Sequence, residues 1–254
     1  MRVELLGVRF MAMTVEAAAA RREAAWSDYR VTLLGDVTVK RCGAAVPLQH
    51  RERLLVSLLA LQGSRPRGHI AGTLWPEVPE DRARASLRQS LRTLKQVLPG
   101  GFVVGTGSLG LVPGLAVDVH EVRAHCDDVL SGARLTVRRA VDALHAIVGP
   151  ELLLGEFDEW VEQERRRLQR QRLHALEHLT RELARLGETS WAIAAAEAAA
   201  ELDPLREEPA MLLISLHLAE GSVVEARRTF DAFRRRLRAE LRVEPSPRVV
   251  ALMR

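Results

Sequence analysis

The sequence is poor in the residues that mark several protein classes. It has two cysteines, Cys42 and Cys126, in 254 residues, and aromatic residues make up only 4% of it. Two distant cysteines form no disulfide framework, which agrees with a reducing cytoplasm, and the aromatic content is low for an all-β protein. No apolar run approaches the roughly 18 residues that span a bilayer. Glu4 and Arg9 interrupt the apolar start, so we expect a cytoplasmic protein without a signal peptide or membrane contact.

Motifs for catalysis are also missing. The sequence has no P-loop, nucleophile motif or pair of catalytic acids, so we predict that it is not an enzyme and needs no cofactor. Residues 105–110 do spell GxGxxG, which in a dinucleotide site would open a helix within a βαβ unit. The segment is followed by Leu111, Val112, Pro113 and Gly114, which cannot start such a helix. We therefore interpret it as a turn.

The histidines do not predict a metal site. His174 and His178 stand four residues apart, a spacing that can hold a metal on a helix. However, Ala175 occupies the place where a metalloprotease helix has Glu, and no third ligand is evident. A solvated or partly packed helix face is the better interpretation.

Composition and charge indicate a mostly helical chain of two domains with different partners. Leu, Ala, Arg and Glu dominate the sequence, the mixture expected of a mostly helical chain, and its length suits two domains. Residues 30–110 hold 12 Lys and Arg against 5 Asp and Glu, giving +7, whereas residues 111–254 hold 21 against 24, giving −3. We expect only the first domain to meet a polyanion.

The order of patterns in residues 30–112 predicts a winged helix-turn-helix domain. β-branched residues alternate with polar ones from Val31 to Leu48, which predicts a small antiparallel sheet. Three helices follow, of which Gly63 ends the first and Asp81 caps the third. A hairpin then forms the wing. The predicted helices lie at 50–62, 67–75 and from Asp81 to about Leu98, and the hairpin strands at 102–104 and 109–112.

Residues 1–29 are interpreted as an N-terminal extension. The segment Arg2–Gly7 nearly repeats Arg30–Gly35, but only the second copy leads directly into the rest of a domain. We place the opening strand in the second copy and expect the extension to be dispensable for folding.

Residues 113–254 are predicted to be an all-α domain built from helical repeats. Gly187 and Gly221 stand 34 residues apart, which is the tetratricopeptide (TPR) period, and Ala226 repeats Ala192. Two such repeats are too few to be stable alone, so residues 118–164 should supply further helix pairs. Everything after Val117 is expected to be helical.

The third predicted helix carries the sharpest functional signal. Leu87, Leu91, Leu94 and Leu98 form a stripe that should face the core. Arg and Gln on the opposite face can bond base edges in a major groove, while flanking cations contact phosphates. For an isolated helix, a basic face exposed to solvent without a ligand would be the simpler interpretation. The position of this helix in a helix-turn-helix domain of charge +7 favours DNA binding. The candidate DNA-binding residues are Arg82, Arg84, Ala85, Ser86, Arg88, Gln89, Arg92, Thr93, Lys95 and Gln96.

The predicted wing tip is the second candidate DNA contact, through Thr106, Gly107 and Ser108. Residues 105–110 contain no Arg or Lys. A minor-groove contact by a charged wing is therefore not expected from this segment.

Several of these motifs resemble a known family. The segments 33–35, 53–61, 74–76 and 82–91 look like an OmpR-type winged helix, and 156–161, 203–208 and 241–247 are similar to the bacterial transcriptional activator domain. In this order the pair resembles the SARP family of actinobacterial antibiotic-regulatory activators. The resemblance implies two protomers bound side by side to direct repeats in double-stranded DNA. It also implies recruitment of RNA polymerase at a biosynthetic gene cluster, through the sigma factor and the C-terminal domain of the polymerase α chain.

A different function class stays open. The chain could be a helical-repeat interaction scaffold whose winged helix no longer binds DNA and docks a protein instead. Such a scaffold has no need for a charge of +7 on its first domain, so the charge favours DNA binding. The sequence reveals neither the operator, the target genes, an activating signal, nor the oligomeric state away from DNA.

Overall fold

The computed structural model describes residues 26–98 and 101–253. These residues divide into two compact units. The first comprises the described residues up to His120 together with Glu151–Val161, and the second comprises Glu121–Pro150 and the described residues from Glu162 onward. The predictions for residues 1–25, including the strand Arg2–Gly7, lie outside the described residues. The domain boundaries 1–29, 30–112 and 113–254 stay a prediction.

The first unit begins with a small sheet. Its strands are β1 (Tyr29–Thr32), β2 (Thr38–Arg41), β3 (Ala44–Ala45) and a late strand at Ala116–Val117. The spatial order is β3, β2, β1 and then the late strand, with Val31 opposite Val39 in an antiparallel pair and opposite Val117 in a parallel pair. The predicted antiparallel sheet is confirmed. The late strand was missed because two residues are too short to show alternation.

Three helices form the middle of the first unit, and their predicted extents are confirmed to within a residue. They are α1 (His50–Gln62), α2 (Arg67–Leu74) and α3 (Glu80–Val97). Residues 54–61 of α1 are all buried. Gly63 ends the helix with a φ of 72°, a conformation that residues with a side chain rarely adopt. The prediction of Asp81 as the cap of α3 is wrong, since Pro79 holds that position and Asp81 lies in the first turn. There its charge suits the positive helix end.

The wing is a three-stranded sheet rather than a simple hairpin. The predicted hairpin is confirmed as β5 (Val103–Val104) and β6 (Ser108–Leu111), and a short strand β4 (Arg65–Pro66) pairs with the other edge of β6. Arg65 lies opposite Leu109 in that pair. The late strand of the first sheet, Ala116–Val117, is accordingly β7.

A segment from far along the chain completes the first sheet. The N–H of Leu153 donates to the carbonyl of Leu33 at 2.8 Å, and the N–H of Gly35 donates to the carbonyl of Glu151 at 2.7 Å. Leu152 and Leu153 are almost fully buried. The prediction that everything after Val117 is helical is therefore wrong for residues 148–158, where apolar leucines cover a strand edge instead of forming a helix.

Asp118 fastens the end of β1 in the same unit. Its carboxylate oxygens accept hydrogen bonds from the main-chain N–H groups of Leu33, at 2.9 and 3.0 Å, and Leu34, at 3.0 Å. It also accepts one from Val119 at 2.7 Å. Bonds to a charged acceptor are stronger than neutral ones, so Asp118 satisfies main-chain donors that β1 leaves beyond its last paired residue.

An aromatic cluster extends the core of the first unit to residues before 30. The ring of Trp26 lies 5.7 Å from that of Tyr29 and 5.9 Å from that of Phe102, centroid to centroid. All three side chains are buried. The core therefore includes two residues that the sequence analysis assigned to the extension.

The second unit is helical, and the fold class predicted from the sequence is confirmed. Its turns carry the repeat glycines, since Gly187 and Gly221 adopt φ values of 80° and 73°. Ala192 and Ala226 are completely buried, where small side chains let neighbouring helices approach closely. The helices in chain order, with α4 and α6 beginning in the first unit, are α4 (Asp118–Leu130), α5 (Val137–Ile147), α6 (Glu159–Arg185), α7 (Thr189–Leu202), α8 (Glu207–Ala219), α9 (Val223–Leu241) and α10 (Pro247–Ala251).

Ion pairs and a terminal cluster hold the later repeats of this unit. Arg206 donates from Nε to Glu177 Oε1 at 2.6 Å, although Glu177 is largely buried. Phe230 and Phe233 of α9 pack in a buried cluster with Ile214 and Val249. No helix within the described residues is both long and apolar enough to cross a membrane.

Candidate nucleic-acid interface

The helix α3 buries one face against the rest of the first unit. Leu87, Leu94 and Leu98 of the predicted stripe are at most 3% exposed, and Ser90 is also buried. Leu91 is only half-buried, so the predicted stripe is confirmed for three of its four leucines and in part for Leu91. Its side chain lines a small cavity beside the wing together with Leu94 and Leu98, and it lies at the margin of the buried face because that face is rotated toward Ser90.

The predicted DNA-binding residues lie on the other faces of α3, as their spacing requires. Ser86 and Thr93 are half-buried at one margin. The remaining eight are exposed: Arg82, Arg84, Ala85, Arg88, Gln89, Arg92, Lys95 and Gln96. One helix surface thus brings together all the candidate residues that the sequence analysis named on this element.

Most of these side chains have no internal partner in the described part of the chain. Arg84 is an exception, because its guanidinium forms a salt bridge with Glu80 one turn earlier. Thr93 is another, since its hydroxyl donates to the carbonyl of Gln89 at 3.3 Å. The donors of the other exposed Arg, Gln and Lys side chains of α3 are available to an external partner.

The wing tip is shaped by a glycine that nothing else can replace. Gly105 has a φ of 104°, and a Cβ added to it would lie 2.0 Å from the carbonyl oxygen of Ser108. This geometry belongs to a tight hairpin and not to the start of a helix, which confirms the interpretation of the GxGxxG segment as a turn. Thr106, Gly107 and Ser108 are all exposed at the tip.

Two arginines that sequence reasoning missed lie next to the wing. Arg67 donates from Nε to the carbonyl of Thr106 at 2.5 Å and from its main-chain N–H to Gly107 at 3.2 Å. Arg65 is held beside β6 by strand β4. The wing therefore has cations beside it although its own tip has none. The only local signal near this strand is the Ser-Arg-Pro sequence after α1, and it shows no alternation of polar and apolar residues.

The structure brings no metal ligands together in the part of the chain that it describes. His174 is exposed on α6 and His178 is half-buried on it. No group of three or more His, Cys, Asp or Glu side chains that could hold a metal is present among those residues.

Comparison with known proteins gives a family match and similarities to solved structures. Residues 117–254 match the family described as "Bacterial transcriptional activator domain". The chain resembles the structure of Mycobacterium tuberculosis EmbR in complex with a low-affinity phosphopeptide, with 22% identity, a TM-score of 0.70 and coverage of 89% of this chain. It spans 64% of the EmbR chain. This likeness supports the fold, a winged helix followed by helical repeats.

A second structural match is too distant to inform the fold. It is TTC0263, a thermophilic TPR protein of Thermus thermophilus, with 20% identity and a TM-score of 0.27. The alignment covers 81% of this chain and 98% of that one. No curated protein matches the chain.

Proposed function

This chain belongs to the family of the bacterial transcriptional activator domain, and from that premise we propose that it activates transcription by binding promoter DNA through its first unit. Two protomers bind side by side on direct repeats of a specific sequence. The second unit engages RNA polymerase at the sigma factor and at the C-terminal domain of the α chain, and the controlled genes form a biosynthetic cluster. The protein works in the cytoplasm and catalyses no reaction.

The observation that carries the proposal is the exposed face of α3. Arg88, Gln89, Arg92, Lys95 and Gln96 are exposed, and no hydrogen bond within the described residues holds their side chains. Glutamine can bond adenine with both its donor and its acceptor, and arginine can bond guanine twice. Cations along the flank suit the phosphates on either side of the groove.

Charge supports the choice of DNA over a protein partner for this unit. The excess charge of +7 in residues 30–110 would release counterions from a phosphate backbone on binding. This release supplies a large share of the affinity in protein–DNA complexes. A docking surface for a protein has no comparable use for so many cations.

The test begins with a footprint on the promoter beside the protein's own gene, followed by titrations on that duplex. We expect a protected pair of direct repeats and a steep fall of affinity between about 50 and 200 mM salt. Arg92→Gln should lower affinity, while Arg227→Gln, which changes an exposed arginine on α9, should leave it unchanged. A flat salt dependence would exclude DNA as the ligand and favour the scaffold function.

Activation requires its own measurement. Transcription from the footprinted promoter with purified RNA polymerase should rise when the protein is added. If the protein binds the repeats and transcription does not rise, it binds DNA without activating.

A further inference from the structure

A groove in the first unit collects three arginines. It lies between the start of α2, the first half of α3 and the wing, with a volume of about 320 Å³. That volume is at the lower end of the range for ligand pockets. The residues that line it are Pro66, Arg67, Gly68, Arg84, Leu87, Arg88 and Gly107.

The arginines keep donors available to the groove. The hydrogen bonds of Arg67 to the wing use its main-chain N–H and Nε, and its two Nη atoms have none within the described residues. Arg88 has no internal hydrogen bond there. Arg84 extends across to α2, since its Nη2 lies 3.9 Å from the position that a Cβ on Gly68 would take.

One acid is bonded to this cluster in the part of the chain described. Glu80 Oε1 accepts a hydrogen bond from Arg84 Nη2, and the two side chains are 68% and 52% exposed. Exposed pairs at this spacing are weak. A phosphodiester also presents two oxygens that share one negative charge, so it can bind the same guanidinium and replace a carboxylate that is held this weakly.

We propose that this groove binds one phosphate group of the DNA backbone through Arg67, Arg84 and Arg88, and that Glu80 competes with that phosphate for Arg84. The inference rests on the proposed function only in taking DNA as the source of the phosphate. In the free protein Glu80 neutralises Arg84, and in the complex the phosphate takes its place. The groove thus sets affinity without reading sequence.

The test needs no operator, because a backbone contact is independent of sequence. Anisotropy titrations of the full chain on an arbitrary labelled duplex should show about two-fold tighter binding by Glu80→Gln, the worth of an exposed helix pair. Asp81→Asn is the matched control, since it removes the same charge one residue away without releasing Arg84, and its gain should be smaller. Arg84→Gln should weaken binding and reduce the slope of log affinity against log salt by about 0.9.

The double variant decides whether Glu80 acts through Arg84. We expect the gain from Glu80→Gln to vanish when Arg84 is already Gln. If that gain persists, or if Asp81→Asn matches it, the competition is refuted. All variants change exposed side chains, and circular dichroism checks that they fold.

Two further outcomes separate the possible failures. Replacing chloride by inorganic phosphate at constant ionic strength should weaken duplex binding by the wild type more than by Arg84→Gln, because the free anion competes with the backbone phosphate for the groove; equal weakening of the two would show that Arg84 contacts no phosphate of the duplex. If the wild type binds no duplex at all, the proposed function is wrong, and DNA is then not the source of the phosphate. If it binds duplex and all variants behave like it, only the groove assignment fails.

Discussion

Three single substitutions in α3 should have three different effects. Gln89→Ala removes an exposed amide that can reach base edges, Arg88→Ala removes an exposed cation on the flank, and Leu87→Ala opens a cavity in the core. Gln89 and Arg88 have no internal side-chain hydrogen bond within the described residues, so neither change should alter the free energy of unfolding by more than about 0.5 kcal/mol. Leu87 is 1% exposed.

The expected sizes follow from these environments. Gln89→Ala should cost about 1–3 kcal/mol on the cognate duplex, relax preference at one base pair and leave binding to random duplex nearly unchanged. Arg88→Ala should weaken both duplexes by similar factors and lower the salt slope by about 0.9. Leu87→Ala should destabilise the fold by about 2–5 kcal/mol, and Leu91→Ala, its half-buried neighbour on the stripe, by clearly less.

Thermal melting and titrations on cognate and scrambled duplexes measure all of these quantities. If Gln89→Ala weakens both duplexes equally while Arg88→Ala changes base preference, the rotation of α3 in the groove is not the one proposed. If both variants fold and neither affects DNA, α3 does not bind DNA. Equal losses of stability for Leu87→Ala and Leu91→Ala would refute the rotated core face.

Three further predictions concern stability and reactivity. Deleting residues 1–25 should leave the melting temperature nearly unchanged, whereas deleting 1–29 removes the buried rings of Trp26 and Tyr29 and should lower it by more than about 5 °C; equal effects would contradict this. Asp118→Ala should destabilise the first unit by about 1–3 kcal/mol per main-chain donor left without a bond, measured by urea unfolding, and a loss below about 0.5 kcal/mol would show that water replaces the carboxylate. Burial raises the pKa of the Cys126 thiol to about 12, so at pH 8 a thiol reagent should modify exposed Cys42 and reach Cys126 only after unfolding; two fast-reacting thiols in the native protein would refute it.

The helices and the hairpin were predictable because they carry a local signal. The leucines of α1 recur with a helical period until Gly63, and glycines mark the turns of the later repeats. The same periodicity placed the candidate DNA-binding residues on one exposed surface of α3. Leu91 is less buried than predicted because four regularly spaced leucines suggest a wider buried face than the helix has.

The missed features depend on pairing between distant segments. Strands β4 and β7 have two residues each, which is too short for alternation to appear, and their partners are 42 or more positions away in sequence. Leu152 and Leu153 form an apolar pair of the kind that is common in helical segments. Only the strand edge that they cover at the end of β1 distinguishes them from helical residues. No local pattern could have revealed the cations beside the wing, since Arg65 reaches it through strand pairing and Arg67 through hydrogen bonds to Thr106 and Gly107.

The first sheet can be completed only late in synthesis, because the segments that complete it lie far along the chain. Leu33 and the Asp118 carboxylate that holds its N–H are 85 residues apart, and the leucines that cover the same edge come later still. At about 5–20 residues per second, a ribosome needs roughly 4–17 s to make that interval. During it, β1 lacks its parallel neighbour, and its end has exposed main-chain groups of the kind that recruit foreign strands. The nascent chain therefore cannot finish its first unit until the helical-repeat sequence has begun to emerge, and a nonsense mutation before residue 150 should yield an aggregating fragment instead of a folded first unit.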